Sequence, residues 1–282
     1  MDITQKAMLS VVSIAYWTGK CADARVLDEI AVKHQTETDM HEYRKILVKP
    51  EALNRIKAAR SRARTFWIEE TMPWLDGGTR VLPAVKYEAF AERMRELKDD
   101  YETAVRDFVK GYDLLKAEAR RRLNGLYREE DYPSKDELVS RFRFETTVFP
   151  IPAMSDWRVQ LGKEAQEEIK TSTEAALKRA EEIMAKDCWK RVHEVVFALA
   201  SAMKKEKPIF RDSIIGNIRS LVGLLPDLNV TDNAELTTMA QELKKLTAGL
   251  DPENLRDDPL QRKRTAKSAD EILRKMTGYI GK

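Results

Sequence analysis

One periodic stripe of side chains constrains this sequence more than any other feature. Between Tyr87 and Leu126, apolar or small residues recur at steps of three or four, with a mean of about 3.5, which is typical of a helix that buries one narrow face. The members are Tyr87, Phe90, Met94, Leu97, Tyr101, Val105, Phe108, Tyr112, Leu115, Ala119, Leu123 and Leu126. The spacing predicts a single helix about 60 Å long at a rise of about 1.5 Å per residue.

A second segment, from Lys163 to about Glu206, contains neither glycine nor proline, so no helix breaker interrupts it. Its apolar or small residues also recur at helical spacing, at Ile169, Thr173, Ala176, Ala180, Met184, Cys188, Val192, Val195, Leu199 and Met203. Glu174 and Lys178 form an acid-before-base pair one turn apart, which supports the helix. We therefore predict a mainly α protein with two long antiparallel helices.

Shorter helices are predicted where a capping signal precedes residues at helical spacing. Ser134 followed by Glu137 has the form of a capping box, in which each side chain satisfies a free backbone donor of the other residue. Pro50 stands where the first turn of a helix tolerates proline. Further helices are expected at Val26–His34, at Glu51–Met72, after Ser134, at Ile214–Leu225, from Asn233 to about Leu246 and from Pro252 onwards.

Two segments have the composition of strands. Leu9–Trp17 is rich in β-branched and aromatic residues and is followed by Gly19, which favours a short buried strand, with the start of a helix as the alternative. Arg143–Ile151 alternates in part and is closed by Pro150 and Pro152, which is typical of an edge strand. We expect these two segments, near the N-terminus and at residues 143–151, to form a small β element.

The domain organisation follows from these elements. The 282 residues exceed the usual size of one domain, but long helices absorb residues without forming a second core. The sequence contains no internal repeat and no low-complexity linker. We therefore expect one elongated helical domain over residues 1–282. A subdivision stays open, with the β element and the first long helix in residues 1–160 and the C-terminal helices in residues 161–282.

Charge and cysteine content exclude several classes of protein. The chain has 50 Lys and Arg residues and 47 Asp and Glu residues. Its net charge of +3 is too small for a protein that binds polyanions over its whole surface. Cys21 and Cys188 lie far apart and form no paired motif for zinc or for a disulfide framework. The longest uncharged run, Ala7–Gly19, is shorter than the roughly 20 residues that span a bilayer. We expect a soluble cytoplasmic protein without a membrane partner.

The common catalytic motifs are missing from the sequence. There is no GxxxxGK[ST] loop, no GxGxxG fingerprint and no GxSxG elbow. The histidines His34, His41 and His193 lack the spacing of a metal site, and His193 lies in an apolar helical stretch where a packed histidine is expected. We predict no metal, no cofactor and no enzymatic activity. An active site assembled from scattered carboxylates stays the open alternative.

Three basic clusters are the best candidates for a binding surface. Lys57, Arg60 and Arg64 fall on one face of a predicted helix, and the Trp67 ring one turn later has the chemistry to stack on a base. The second cluster is Arg120, Arg121 and Arg122, and the third is Arg262, Lys263, Arg264 and Lys267. A solvated helix face is the simpler interpretation of each cluster, because acidic residues are frequent nearby. The alternative function is therefore nucleic-acid binding through Lys57, Arg60, Arg62, Arg64, Trp67, Arg120 and Arg121.

Several short motifs resemble a known family. They are Trp17-Thr18-Gly19, the loop PWLDGGTRVLP from Pro73 to Pro83, Phe210-Arg211-Asp212-Ser213 and Asp257-Asp258-Pro259. Over nearly its whole length the chain resembles a family of phage and prophage proteins known only as a domain of unknown function. Genes of that family often lie near those of MoxR-like or CobS-like AAA+ ATPases and von Willebrand factor A proteins. The resemblance implies a bacterial host's cytoplasm and such a partner, and it implies no catalytic residues.

The expected function combines the stripe with this resemblance. A seam as long as Tyr87–Leu126 commonly exceeds what one chain covers, so we expect self-association through coiled-coil contacts. The primary hypothesis is a non-enzymatic phage protein of interaction or assembly, which acts as a homo-oligomer or as the accessory of an AAA+ ATPase or von Willebrand factor A protein.

Overall fold

A computed structural model describes residues 3–75, 77–152, 162–205 and 212–280. Helices dominate these residues, as the sequence predicts. They are α1 (Ile3–Lys6), α2 (Ala24–His34), α3 (Asn54–Glu70), α4 (Tyr87–Lys110), α5 (Tyr112–Leu123), α6 (Lys135–Ser140), α7 (Lys163–Met203), α8 (Ser213–Leu228), α9 (Ala234–Thr247), α10 (Pro252–Asp257) and α11 (Pro259–Ile280). The strands are β1 (Ala7–Ala15), β2 (Lys20–Ala22), β3 (Arg44–Ile46), β4 (Met72–Pro73), β5 (Arg80–Pro83) and β6 (Arg143–Pro150).

The capping signals in the sequence mark the helix starts as predicted. The capping box at α6 is complete, because the Ser134 side chain accepts from the Glu137 amide and the Glu137 carboxylate accepts from the Ser134 amide. At α9 the side chain of Asn233 accepts from two backbone amides of the first turn. The second long helix, α7, runs unbroken over 41 residues, which confirms that part of the prediction.

The stripe from Tyr87 to Leu126 is two helices rather than one. α4 and α5 meet at a turn on Gly111. Helical hydrogen bonding nevertheless continues through the turn, because the Gly111 amide donates to the Asp107 carbonyl and the Gly111 carbonyl accepts from the Leu115 amide. The prediction of a single helix is therefore wrong at Gly111. Glycine within a helix costs about 1 kcal/mol relative to alanine, so Gly111 weakens the helix at this position. The spacing of the apolar residues does not change there, so the stripe gives no sign of the break.

Two compact units divide the chain, and they interleave along the sequence. Unit 1 consists of Met1–Val11, Ile68–Phe90 and Thr147–Lys282, and unit 2 consists of Val12–Trp67 and Ala91–Thr146. The elements β1, α3, α4 and β6 each contribute residues to both units. The boundary near residue 160 that the sequence left open does not follow this division.

Unit 1 has a helical core built on α7, which packs against α11 and α8. The rings of Trp189 and Tyr279 stack with centroids 4.4 Å apart, and Lys204 Nζ lies 2.8 Å from Asp270 Oδ1. Because residue numbers rise along α11 as they fall along α7 in these two pairs, the two helices run antiparallel. The long antiparallel pair of this unit is therefore α7 with α11, and the predicted pairing of α7 with the stripe is not confirmed.

The stripe forms much of the core of unit 2. The buried stripe residues of this unit are Met94, Leu97, Tyr101, Val105, Phe108, Tyr112 and Ala119. Trp17 packs edge-on against Tyr112 at 5.9 Å and lies 6.1 Å from the Phe108 ring. The Tyr112 hydroxyl donates to the Pro133 carbonyl at 3.1 Å, and burial raises the pKa of Tyr112 to about 12, so the phenol stays a donor. The seam is thus the core of one chain.

The small β element predicted from sequence is present. The sheet order β4-β5-β1-β6 makes β1 and β6 neighbours and leaves β6 at an edge, as expected, whereas β2 to β5 were not predicted. β5 pairs with β1 only as far as Ser10. Further along β1, the Ile14 carbonyl accepts from Arg60 Nε at 3.1 Å. The Ala15 carbonyl accepts from the Tyr101 hydroxyl. Beyond the end of β5, side chains of α3 and α4 therefore supply the donors for the β1 carbonyls.

A buried ammonium joins β3 to two loops of unit 2. The Lys45 side chain is 1% exposed, and its Nζ lies 2.7 Å from Asp23 Oδ2 and 2.6 Å from Asp131 Oδ2. It also donates to the Leu126 carbonyl at 2.9 Å. Burial lowers the pKa of Lys45, but the two carboxylates raise it more, so the net pKa shift is upward. The ammonium therefore stays charged and neutralises acids that have little access to water.

We predict that Lys45→Met lowers the free energy of unfolding by about 3–5 kcal/mol, because it leaves two buried carboxylates without their cation. Arg44 is the matched control, since it lies next to Lys45 on β3 and pairs with Glu42 at the surface. Arg44→Met should change stability by less than about 1 kcal/mol. Urea denaturation followed by circular dichroism measures both values. Equal losses in the two variants would contradict the assigned role of Lys45.

The same cluster predicts an acid-sensitive contribution to stability. The hydrogen bond from Lys45 lowers the pKa of Asp23 below its ordinary value of 3.8. A carboxylate with a depressed folded-state pKa contributes stability at pH values above its unfolded pKa and loses that contribution as the pH falls through the folded pKa. We therefore expect Asp23→Asn to make the loss of stability below about pH 4 shallower. Parallel pH profiles for the wild type and Asp23→Asn would contradict this.

Candidate interaction surfaces

The basic residues of α3 divide between two faces of the helix in unit 2. Arg55 pairs with Asp107, and Arg62 Nη2 lies 3.4 Å from Asp100 Oδ2, so both arginines meet carboxylates on α4. Lys57, Arg60 and Arg64 lie on another face, since positions three, four and seven apart share one side of a helix. We call these three residues the α3 basic face.

Arg60 is held within the protein, whereas its two neighbours on the α3 basic face are not. Its guanidinium donates to the Ile14 carbonyl and lies 5.5 Å from the centre of the Tyr16 ring. In the described part of the chain, Lys57 and Arg64 have no hydrogen-bond or ion-pair partner. Lys57 and Arg64 are therefore available to a ligand, and so are the two Nη groups of Arg60, because only its Nε donates to Ile14.

Trp67 is not part of this face. Its side chain is 3% exposed and belongs to the core of unit 2. The structure therefore brings together Lys57, Arg60 and Arg64 but does not present the indole ring for base stacking.

The other two basic clusters are partly used within the fold. The Arg120 guanidinium lies 5.7 Å from the centre of the Tyr127 ring, whereas Arg121 is exposed at the end of α5. In the third cluster, Arg262 Nη1 donates to the Leu255 carbonyl at 3.0 Å and to the Arg256 carbonyl at 2.7 Å. Arg262 thus supplies donors to two backbone carbonyls at the C-terminal end of α10.

Unit 1 contains an open cleft of about 830 Å³ between the end of α3, α7 and α8, which we call the α7–α8 cleft. Its apolar lining includes Val195, Leu224 and Ile68, of which Ile68 is 44% exposed. Six of the seven charged residues of the lining form ion pairs, which are Glu70–Lys86 at 2.9 Å, Asp187–Arg191 at 2.8 Å and Lys190–Glu194 at 3.9 Å, and the seventh is Glu69. The cleft therefore offers apolar surface with little uncompensated charge.

An exposed aromatic side chain lies beside the α7–α8 cleft. Phe197 is 56% exposed and follows Lys190 by seven residues, so both lie on the same side of α7. The imidazole of His193 stacks on the Phe197 ring with centroids 5.9 Å apart. His193 is therefore packed at the surface of unit 1 rather than in a core, and the other two histidines, His34 and His41, belong to unit 2.

Two arginines cap the C-terminal end of α3 within unit 1. Arg191 donates to the carbonyls of Glu69 at 2.7 Å, Ile68 at 2.9 Å and Thr71 at 2.6 Å. Arg80 donates to the same Ile68 and Thr71 carbonyls at 3.2 and 2.8 Å. Burial lowers the pKa of Arg80, and the Arg191 charge acts in the same direction, whereas Asp187 opposes them. Cations suit this position because the last carbonyls of a helix carry partial negative charge.

Several kinds of site are not found among the described residues. No three His, Cys, Asp or Glu side chains converge in that part of the chain to hold a metal ion. None of its helices combines the length and apolar character needed to cross a membrane. Cys188 is buried, and burial raises the pKa of its thiol to about 12, so it is not a nucleophile at neutral pH.

Comparison with family models, with curated proteins and with solved structures gave no match. The resemblance to phage proteins therefore stays a prediction. Of the motifs that carry it, Trp17 lies in the core of unit 2 and Gly19 takes a left-handed conformation with φ of 69°. A Cβ at Gly19 would lie 2.8 Å from Val48 Cγ2, so glycine is required there. Asp76, Phe210 and Arg211 lie outside the described residues.

Sequence reasoning missed Lys45, Arg80 and Arg191, which make the most structured polar contacts in the protein. Arg80 lies in a loop motif that the resemblance quotes, but its partners are backbone carbonyls, which leave no mark in a sequence pattern. The strand that carries Lys45, β3, was not predicted either, so no sequence pattern pointed to Lys45.

We predict that Arg191→Lys lowers the free energy of unfolding by about 1–3 kcal/mol, because an ammonium cannot reproduce a fork that meets three carbonyls at once. Lys190→Arg is the matched control, since Lys190 is exposed and pairs only with its helix neighbour Glu194. That exchange should stay within about 0.5 kcal/mol. Guanidinium denaturation tests both, and a stable Arg191→Lys variant would show that Arg80 caps α3 alone.

Proposed function

We propose that this chain is a non-enzymatic interaction and assembly protein that associates with a second copy of itself through the α7–α8 cleft. The observation that carries the proposal is an exposed Phe197 beside a cleft that is apolar and internally charge-paired. Large aromatic side chains contribute strongly to binding when a partner buries them. A single exposed apolar side chain is common on a protein surface, whereas a contiguous apolar patch marks an interaction site, and here Phe197 is accompanied by Ile68, Val195 and Leu224 of the cleft.

A second copy is the occupant that the charges favour. A twofold axis places the same patch of each protomer against itself, so any net charge on the patch is repelled. In the α7–α8 cleft, Lys86, Lys190 and Arg191 are each neutralised by a carboxylate of the same protomer. Glu69 is the lining carboxylate outside these pairs, so like-charge repulsion between two copies is confined to that residue.

The proposed self-association surface lies at the α7–α8 cleft and not on the stripe. The sequence suggested that the seam Tyr87–Leu126 extends beyond what one chain covers. Because most of that seam is core in unit 2, a coiled coil between copies through it would require the unit to open. An assembly surface on α7 avoids that cost, since Phe197 is already exposed.

An ATP-driven partner belongs to the same proposal. The resemblance to phage and prophage proteins supports a role in the bacterial cytoplasm as the accessory of an AAA+ ATPase or a von Willebrand factor A protein. No described residue is assigned to that contact.

We predict that Phe197→Asp converts a self-associated protein into a monomer, because the charged side chain would be buried without a partner at the interface. Leu260→Asp is the matched control, since Leu260 is 67% exposed on α11, a helix that contributes no residue to the lining of the α7–α8 cleft. Size-exclusion chromatography with light scattering over a range of concentrations measures the mass of each variant.

The expected result is a dimer or larger species for the wild type and for Leu260→Asp, and a monomer of unchanged circular dichroism for Phe197→Asp. A wild type that stays monomeric at every concentration would refute self-association. Assembly of Phe197→Asp at wild-type strength would refute the assigned surface.

A further inference from the structure

All of α3 except its last two residues carries charge of one sign only. From Asn54 to Ile68 there are five basic side chains and no acidic one, whereas α4 and α7 alternate acids and bases along their length. Mixed signs are the normal composition of a solvated helix, because neighbouring charges then stabilise one another. A run of like charge costs stability unless something outside the helix compensates it.

Only one side of α3 finds that compensation within the chain. Arg55 and Arg62 meet carboxylates on α4. On the α3 basic face, Arg60 instead donates to a backbone carbonyl, which carries only a partial charge. Lys57 and Arg64 meet no carboxylate in the described part of the chain. The α3 basic face therefore keeps its positive charge at the surface of unit 2.

The geometry of this face suits a row of phosphates. Lys57 and Arg64 are seven residues apart, which is about 10.5 Å along a helix, so the two cations can meet two different phosphates of the same duplex. Arg60 lies between them and is held by the Ile14 carbonyl and the Tyr16 ring, so its position costs little entropy to fix.

The ring systems nearby do not favour a single strand. Proteins that hold single-stranded nucleic acid stack its bases on exposed aromatic rings. Trp67 is buried, and Arg60 covers one face of Tyr16. The contacts offered by this face are therefore to the backbone and not to the bases.

We propose that the α3 basic face binds the phosphate backbone of duplex nucleic acid without reading its sequence. This function lies on unit 2 and is independent of the self-association proposed for unit 1. Binding of this kind releases counterions, so the logarithm of the association constant falls with the logarithm of the salt concentration with a slope of about −0.9 per phosphate contact. Three contacts give a slope of about −2.7, with dissociation constants of about 1–100 µM near physiological salt.

The test compares two double variants of the same helix with the same change of charge. Lys57→Gln with Arg64→Gln removes two cations of the α3 basic face, and Arg55→Gln with Arg62→Gln removes two from the side that meets α4. The probe is a fluorescein-labelled short DNA duplex, and anisotropy is measured over a series of salt concentrations. Arg60 is left unchanged because it also satisfies the Ile14 carbonyl.

We expect the first double variant to bind at least about tenfold more weakly at low salt and to reduce the slope to about −0.9. The second double variant should bind within about threefold of the wild type, because its two arginines are already paired. Wild-type protein should bind duplexes of different sequence with equal affinity.

Three outcomes would overturn the proposal. The first is that no duplex binding is measured at low salt. The second is that both double variants bind equally weakly, which would mean that net charge alone governs binding. The third is tighter binding to a single strand than to the duplex. Loss of self-association in the Phe197→Asp variant would leave all three measurements interpretable, since that residue lies in the other unit.

Discussion

The need to satisfy backbone carbonyls where a helix or strand ends is the constraint on which much of this structure depends. Such carbonyls cannot be left buried without a donor, because an unmet group costs about 1–3 kcal/mol. Long cationic side chains supply the donors: Arg191 and Arg80 at the end of α3, Lys45 at the Leu126 carbonyl, and Arg262 at the end of α10. Arg219 does the same for the Thr247 and Leu250 carbonyls after α9.

This constraint explains why basic clusters were hard to interpret from sequence. A pattern search treats Arg60, Arg64 and Arg262 alike, as members of a cationic patch. In the structure, Arg60 donates to a carbonyl 46 residues away and Arg262 to carbonyls six and seven residues away, whereas Arg64 makes no such bond among the described residues. The distinction depends on which backbone group the fold leaves unpaired nearby, and no spacing within a helix records that. The candidate face could be predicted as a helix side, but its individual members could not be ranked.

The elements of the fold were more predictable than their contacts, and the reason is the range of the signal. Helix starts such as Ser134 and Asn233 depend on residues within one turn, so the sequence states them directly. The apolar stripe likewise predicts which side of α4 and α5 is buried, but not that Trp17, Phe142 and Phe144 of the same chain pack against it. The short strands β2 to β5 were missed because their stability comes from pairing partners up to 76 residues away, as at Ala7 and Pro83. Gly111 was missed because a single glycine weakens a helix without changing its periodicity.

The distribution of charge between paired and unpaired groups argues for two kinds of partner. In the α7–α8 cleft every lining cation named above lies within ion-pair distance of a carboxylate of the same protomer, so the surface gains nothing from a charged ligand and loses little by contact with an apolar one. On α3, Arg55 and Arg62 pair with Asp107 and Asp100 of α4, whereas Lys57 and Arg64 meet no carboxylate among the described residues and are solvated by water. Water is a good solvent for an ammonium or guanidinium group, so these cations impose no penalty on the free protein. They become useful only when an anion of regular spacing replaces that water, and such binding weakens as salt supplies competing counterions.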